Sequence, residues 1–246
     1  MGINFSAQLV ERPLSFAMNN DVVRLTCDAL LFDLDGVLVD SIVSVEHTWR
    51  VWAARHGLDP AAILRSAHGR RALDTVKIVA PHLNAAAEII ALSAQEASTT
   101  QGLSEVPGAH ALLSALPADH WAVVTSGDRP VAEHRLRHVG LPVPTVMVCG
   151  DEVTHGKPDP EGYLTAAAKL GIAPADCVIV EDAPSGVEAA HNAGMRVIAV
   201  TTTHSAAEVS AADAVTDKLS ALTVRIRGRG PAKRLYVEVG LPTKTS

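Results

Sequence analysis

The chain has 246 residues, of which 48% are hydrophobic and 20% charged, and its formal net charge is −6. The apolar fraction suffices for a buried core and excludes a disordered chain, while the negative balance argues against general nucleic-acid binding. No apolar run approaches the roughly 18 residues of a membrane span, and the cysteine spacing fits neither a disulfide framework nor a zinc site. We therefore expect a cytoplasmic, globular protein without a nucleic-acid or membrane partner.

Short, continuous apolar runs recur along the chain, and each is typical of a strand that is buried on both faces. They occupy residues 29–33, 121–126, 145–149, 177–182 and 196–200. Helix-like stretches alternate with the later runs and occupy residues 108–116, 129–139, 160–170 and 185–193. Strands and helices in this order predict right-handed crossovers and a parallel sheet, and therefore an α/β fold.

Residues 44–105 interrupt this alternation, because they contain no run that is typical of a buried strand. Val45, Trp49 and Trp52 recur at helical spacing, and this stripe stops at Gly57. Further apolar stripes follow at the same spacing. The segment is therefore predicted to be an all-helical insert in the sheet-containing domain.

These patterns divide the chain into four predicted parts. They are an N-terminal extension (1–25), a sheet-containing core (26–43 and 106–222), the helical insert (44–105) and a C-terminal tail or hairpin (223–246). Hinges between the core and the insert are expected near residues 40–44 and 104–107, where the chain passes from one to the other.

The strongest chemical signal lies where the first buried strand is predicted to end. Asp33 and Asp35 are two residues apart and point to the same side while the chain stays extended, and Gly36 then permits a tight turn. Two neighbouring carboxylates repel each other, so that one stays ionised beside a cation while the other can hold a proton. The pair can therefore supply a nucleophile and a general acid/base.

Polar residues also follow the later predicted strands. Ser126 and Gly127 offer a hydroxyl and backbone N–H groups to an oxyanion, and Lys157 offers a positive charge. Glu181 and Asp182 offer hard oxygen ligands. In an open parallel sheet, the carboxyl ends of the strands form the crevice in which ligands bind. We therefore expect all of these groups to meet in one site.

The ligand atoms of this set favour magnesium over zinc. Asp33, Asp182 and a backbone carbonyl, together with waters and a substrate oxygen, suit octahedral Mg²⁺. Zinc favours histidine and cysteine, and neither occurs in these motifs. Mg²⁺ is therefore the expected cofactor.

In this order, the motifs resemble those of the haloacid dehalogenase superfamily. The segments Asp33-Leu-Asp-Gly-Val-Leu-Val-Asp-Ser41, Gly156-Lys-Pro-Asp-Pro160 and Glu181-Asp-Ala-Pro-Ser-Gly186 resemble its β-phosphoglucomutase-like branch. The helical insert is similar to the cap domain of that branch. The resemblance covers residues 28–222, and it implies a Rossmann-like, three-layer core with an inserted helical cap.

The resemblance also implies a role for each catalytic residue. Asp33 is expected to attack phosphorus and form an aspartyl-phosphate. Asp35 is expected to protonate the leaving alkoxide and then to deprotonate the water that hydrolyses the intermediate. Ser126, Gly127 and Lys157 are expected to bind the transferring phosphoryl group.

The implied metal ligands are Asp33, the Asp35 carbonyl and Asp182, with Glu181 as a direct or water-mediated ligand. The electrostatics agree with this arrangement. A phosphate that approaches an ionised carboxylate to ~4 Å is repelled by about 4 kcal/mol for each pair of charges at an effective dielectric constant of 20. Mg²⁺ and Lys157 would offset that repulsion.

The predicted substrate is a small phosphorylated sugar or polyol. The stretch from His68 to Asp74 resembles the cap loop of glycerol-phosphate and 2-deoxyglucose-6-phosphate phosphatases, which implies that Arg71 and His68 face the substrate. Mutases of the same branch typically carry a histidine where this chain has Val45.

We therefore predict a monomeric, Mg²⁺-dependent phosphoric monoester hydrolase. A phosphohexomutase remains the alternative within the enzyme class. A sugar-phosphate sensor without catalytic activity is the alternative from another class.

Overall fold

The computed structural model describes residues 22–67, 69–228 and 233–242. Its strands are β1 (Val22–Cys27), β2 (Ala29–Phe32), β3 (Val39–Asp40), β4 (Ser104–Glu105), β5 (Trp121–Val124), β6 (Met147–Val148), β7 (Cys177–Glu181), β8 (Arg196–Val200), β9 (Ala214–Thr216), β10 (Leu222–Arg227) and β11 (Arg234–Gly240). Its α-helices are α1 (Ile42–His56), α2 (Pro60–Ala67), α3 (Ala72–Val79), α4 (Ala85–Glu96), α5 (Ala109–Ser114), α6 (Arg129–His138), α7 (Glu161–Leu170) and α8 (Pro184–Asn192).

A parallel sheet of six strands forms the centre of the fold, in the order β6-β5-β2-β7-β8-β9. All five apolar runs contribute a strand to it, as predicted, because a strand in the middle of such a sheet is covered on both faces. The third run yields only the two-residue strand β6, at one edge of the sheet. Strand β9, at the opposite edge, was not predicted.

Helices cover both faces of the sheet and complete three layers. Successive residues of a strand point to opposite faces, so Leu30 and Phe32 pack in one apolar cluster while Leu31 packs in the other. The first cluster includes Leu136 of α6, and the second includes Tyr163 of α7. This arrangement confirms the predicted three-layer α/β fold.

Helices α1 to α4 pack around an apolar cluster of their own. Trp49 and Trp52 of α1 contact each other edge to face, and Ile63, Val76 and Leu92 from the other helices are buried beside them. Among the described residues, no part of 44–105 joins the central sheet. The chain enters and leaves this segment beside the short antiparallel pair β3–β4.

A second, antiparallel sheet joins the two ends of the described chain in the order β1-β11-β10. Leu235, Val237 and Val239 of β11 are buried in the same cluster as the central strands. Residues 22–25 therefore belong to a strand and not to the predicted N-terminal extension, of which residues 1–21 lie outside the described range. In the described range, no helix is long and apolar enough to cross a membrane.

Candidate active site

Four polar groups from three strands, β2, β6 and β7, meet at the carboxyl ends of the central sheet. Asp33 directly follows β2, and Asp182 directly follows β7. Lys157, from the loop between β6 and α7, places its Nζ 2.5 Å from Asp33 Oδ1 and 2.6 Å from Glu181 Oε1. Carboxylate oxygens of Asp33, Glu181 and Asp182 lie within 4.8 Å of one another. The structure thus brings together the predicted nucleophile, cation and acidic ligands.

Lys157 is a buried cation between two buried carboxylates. Burial alone would lower its pKa, but the charges of Asp33 and Glu181 outweigh that effect and hold the pKa well above its ordinary value. The ammonium group is therefore charged at neutral pH. Its single positive charge is shared between the two carboxylates.

Glu181 holds this lysine in place. Its Oε1 accepts from Lys157 and from the Tyr163 hydroxyl at 2.9 Å, and its Oε2 accepts from the backbone N–H groups of Asp182 and Ala183 at 2.8 and 2.9 Å. A Cβ at Gly186 would collide with the carboxylate. Protein donors therefore use both oxygens of Glu181 in this structure, and its predicted role as a direct or water-mediated metal ligand stays a prediction.

Asp33 and Asp182, when both are ionised, carry more negative charge than the protein neutralises. Burial, opposed by Lys157, raises the pKa of Asp33 to about 7. Burial, with the nearby charges of Glu181 and Asp33, also raises the pKa of Asp182 well above its ordinary value. Three buried carboxylates face a single lysine, so the site favours a further cation, and its hard oxygen ligands fit Mg²⁺.

The Gly36 turn keeps the acidic groups close together. Gly36 has a φ of +81°, which only glycine adopts without strain, and its carbonyl accepts from the Thr202 hydroxyl. A Cβ at this position would collide with the Asp182 carboxylate, which also accepts from the Thr203 hydroxyl. The glycine is thus required both for the turn and for the close approach of Asp182.

Asp35 lies beside this centre and has its own partners. The Ser41 hydroxyl donates to its Oδ1 at 2.6 Å, and Arg135 Nη1 donates to its Oδ2 at 2.7 Å. Sequence reasoning missed Arg135. The available signal was a charged residue in the apolar stripe of α6, between Val131 and Leu136.

Ser126 and Gly127 line the same cavity as Asp33 and Asp35. The Ser126 hydroxyl donates to the carbonyl of Gly69 at 3.0 Å, and the Gly127 N–H donates to the Thr125 hydroxyl at 3.0 Å. Gly69 lies in the helical insert, so Ser126 contacts the insert directly. Both groups therefore have protein partners here, and they would have to exchange these for substrate oxygens.

Arg71 is held by protein acceptors in this structure, and its predicted contact with the substrate stays a prediction. Its guanidinium donates to both Asp74 oxygens at 2.7 and 3.0 Å, and to the carbonyls of Val153 and Thr154 at 2.8 and 3.1 Å. The side chain thereby ties the insert to the core loop after β6, because a buried guanidinium requires acceptors. The neighbouring Arg70 lines the cavity that contains Asp33 and Asp35. His68, the other predicted cap residue, lies outside the described residues.

Arg71→Met is expected to lower the free energy of unfolding by about 2–4 kcal/mol, because the carbonyls of Val153 and Thr154 lose a charged donor in a buried setting. Urea unfolding followed by tryptophan fluorescence would measure the change. Arg70→Met is the matched control, because this neighbouring side chain is exposed, and it should change stability by less than about 0.5 kcal/mol. Equal losses for the two variants would contradict the role assigned to Arg71.

A family model, curated relatives and solved structures all match this chain. The family model described as haloacid dehalogenase-like hydrolase matches residues 30–200. Hexitol phosphatase A of Escherichia coli (strain K12) is 44% identical over 211 residues, which are 84% of this chain and 98% of the relative. 2-Deoxyglucose-6-phosphate phosphatase 2 of Saccharomyces cerevisiae is 32% identical over 205 residues, which are 74% and 82% of the two chains. The crystal structure of CbbY from Rhodobacter sphaeroides in complex with phosphate matches with a TM-score of 0.65 and 25% identity, over 79% of this chain and 95% of that chain.

Proposed function

The chain belongs to the haloacid dehalogenase-like hydrolase family, and on this basis we propose that it is a Mg²⁺-dependent phosphatase acting on monophosphates of small sugars or polyols. The observation that carries the proposal is the contact between Lys157 and Asp33 at the end of β2, beside the Asp182 carboxylate. The substrate class is supported by the similarity to phosphatases named for hexitols and 2-deoxyglucose 6-phosphate. The cytoplasmic location and the monomeric state stay predictions.

Asp33 is the proposed nucleophile. Its Oδ forms a bond to phosphorus while the bond from phosphorus to the ester oxygen breaks, which leaves a phosphoryl group on Asp33 and a free alkoxide. Lys157 supports this step because its charge favours the ionised form of Asp33 against the effect of burial. A protonated or unpaired Asp33 would be a poor nucleophile.

Asp35 is the proposed general acid/base. Its carboxyl gives a proton to the departing alkoxide and then accepts one from the water that attacks the phosphoryl group on Asp33, which restores both residues. It follows β2 by three residues and lines the cavity with Asp33. The hydrogen bond from Ser41 holds one of its oxygens in a defined direction.

The negative charge that develops on the phosphoryl oxygens needs donors. We propose that Lys157, Ser126 and the Gly127 N–H supply them, because all three lie at the carboxyl ends of neighbouring strands. Glu181 acts through Lys157, whose Nζ it fixes at 2.6 Å, and in this respect the proposal differs from the ligand role expected for Glu181 from the sequence.

Asp33, Asp182 and the carbonyl of Asp35 would hold Mg²⁺. When bound, the ion supplies positive charge that offsets the repulsion between a phosphate and the acidic centre. The raised pKa values of Asp33 and Asp182 support this assignment, because they report buried negative charge that the protein alone does not neutralise.

We also propose that residues 44–105 move as a cap relative to the core, with the boundaries and hinges predicted from the sequence. The pair β3–β4 supports the hinge positions, because it joins the two connecting segments at residues 39–40 and 104–105. The separate apolar cluster of α1 to α4 supports a body that keeps its shape while it moves. Closure would exclude bulk water from the cavity.

Removal of divalent cations is expected to abolish phosphate release, and added MgCl₂ should restore it. A colorimetric phosphate assay with sorbitol 6-phosphate and glycerol 1-phosphate, before and after treatment with EDTA, would measure this effect. Mg²⁺ at about 100 times its Kd should also stabilise the fold by about 2.7 kcal/mol, which thermal melting would detect. Asp182→Asn should lose this stabilisation.

The same preparation separates the alternatives when glucose 1-phosphate is the substrate. An isomerised product without free phosphate would overturn the phosphatase proposal in favour of a mutase. Failure to turn over any phosphorylated sugar or polyol with Mg²⁺ present would favour the sensor. Full activity in EDTA would contradict the role of the metal.

A further inference from the structure

A buried arginine lies on the cavity wall next to the proposed acid/base. Arg135 belongs to α6, and only 2% of its surface is exposed. Its neighbours on the buried side of the helix are Val131, Ala132 and Leu136, so the charge stands in an otherwise apolar stripe. A charged group in such a place is costly unless it is paired, and its partners therefore indicate its purpose.

Protein acceptors satisfy only part of this guanidinium. Nη1 donates to Asp35 Oδ2 at 2.7 Å, and Nη2 lies 3.4 Å from Glu96 Oε2, as an ion pair across the boundary between the core and α4. Within the described residues, Nε and Nη2 have no hydrogen-bond partner although both atoms are buried. Arg135 and Glu96 both line the cavity that contains Asp35, so a molecule bound there could use these unpaired donors.

The charges around Arg135 limit which chemical group of a ligand can bind beside it. Arg135 already has a carboxylate neighbour on each side, Asp35 at 2.7 Å and Glu96 at 3.4 Å, so its charge has protein counterparts before a ligand binds. A hydroxyl is neutral, accepts from a guanidinium and donates to a carboxylate. A hydroxyl that lies beside both side chains could therefore accept from Arg135 Nη2 and donate to Glu96 Oε2, which are 3.4 Å apart without a hydrogen bond between them.

The contact between Arg135 and Asp35 indicates which hydroxyl of the substrate would bind. Because Asp35 gives its proton to the leaving oxygen in the proposed reaction, a group that is bonded to Asp35 lies beside the leaving alcohol. On the insert side, the same cavity is lined by Trp49, Ile89 and Leu92, which would cover the carbon skeleton. The polar and apolar walls together fit an aliphatic chain with hydroxyl groups.

We propose that Arg135 and Glu96 form a subsite that recognises a hydroxyl of the leaving alcohol near the ester oxygen. The subsite selects polyol and sugar monophosphates over alkyl phosphates of the same length. This inference rests on the proposed phosphatase function and adds a specificity determinant from α6 and α4.

The test compares glycerol 1-phosphate with 1-propyl phosphate, which has the same three-carbon chain without hydroxyls. The wild type is expected to prefer glycerol 1-phosphate by at least about tenfold in kcat/KM, because a site built to bind a hydroxyl rejects the analogue that lacks it. Glu96→Leu keeps the volume and removes the acceptor, and it should reduce this preference by a similar factor. A ratio is the right readout, since both substrates need Asp33 and Asp35 equally.

Two further variants keep the test decisive. Arg135→Lys retains the charge but loses the Nε–H and the planar fork, and it should narrow the same ratio even if Glu96→Leu fails to fold. Glu46→Leu, at a partly exposed position on α1 where Glu46 pairs with Arg50, is the matched control and should leave the ratio unchanged. Thermal melting would show that each variant is folded.

The outcomes separate this inference from the function on which it rests. Equal rates of the wild type on the two substrates, or an unchanged ratio in both Glu96→Leu and Arg135→Lys, would overturn the subsite while phosphatase activity stands. Failure to hydrolyse both substrates and p-nitrophenyl phosphate would overturn the phosphatase function itself. A ratio that narrows in both variants and not in the control supports the subsite.

Discussion

Asp33→Asn is expected to reduce phosphate release from sorbitol 6-phosphate by roughly 10⁴-fold or more. The amide has nearly the shape of the carboxylate, but it is a very weak nucleophile and leaves no ionised oxygen to attack phosphorus. The fold should persist, because burial already raises the pKa of Asp33 and the variant removes one of three crowded negative charges. Thermal melting with EDTA present should show no loss of stability greater than a few degrees.

Asp119→Asn is the matched control for this experiment. It makes the same chemical change at a carboxylate whose side chain is 76% exposed and lies before β5, away from the cavity. Its activity should equal that of the wild type. If Asp33→Asn kept more than a few per cent of the activity, another group would have to be the nucleophile.

Lys157→Met is expected to lower the free energy of unfolding by about 3–5 kcal/mol, because it leaves two buried carboxylates without their common cation. Phosphate release should fall by roughly 10³-fold or more, since the variant also loses the charge that stabilises the phosphoryl oxygens. Denaturant titration and the phosphate assay measure the two effects independently. Lys169→Met removes a half-exposed lysine of α7 and should change neither quantity appreciably.

A second substitution separates the effect of Lys157 on stability from its effect on catalysis. Lys157→Met combined with Glu181→Gln removes one orphaned charge and should recover part of the lost stability. Activity should stay at the level of the single variant, because the positive charge is still missing. Recovery of activity together with stability would mean that Lys157 serves only to hold the fold.

The composition of the candidate site could be predicted largely from local patterns. Asp33, Ser126 and Asp182 each follow a run of apolar residues, and a parallel sheet brings the carboxyl ends of its strands to one edge. Their meeting point thus follows from the fold class, which the alternation of strand and helix patterns already determined. The role of each residue still depends on the proposed mechanism.

The side chains at the boundary between the insert and the core could not be assigned in this way. Arg70 and Arg71 are adjacent and chemically identical, and only the docking of the insert against the loop after β6 decides which of them is buried. The pairing of β1 with β11 depends on contacts between residues about 200 positions apart, as in Val23 with Val239. No local periodicity records such a pairing.

The sequence by itself determined the α/β class, the order of the buried strands and the acidic and basic groups at their ends, because these depend on short-range periodicity and on the chemistry of single residues. Only the tertiary structure decided that Arg135 contacts Asp35 and approaches Glu96, and that Glu181 forms an ion pair with Lys157. These contacts join separate elements, so their energies depend on how whole helices and strands pack against one another.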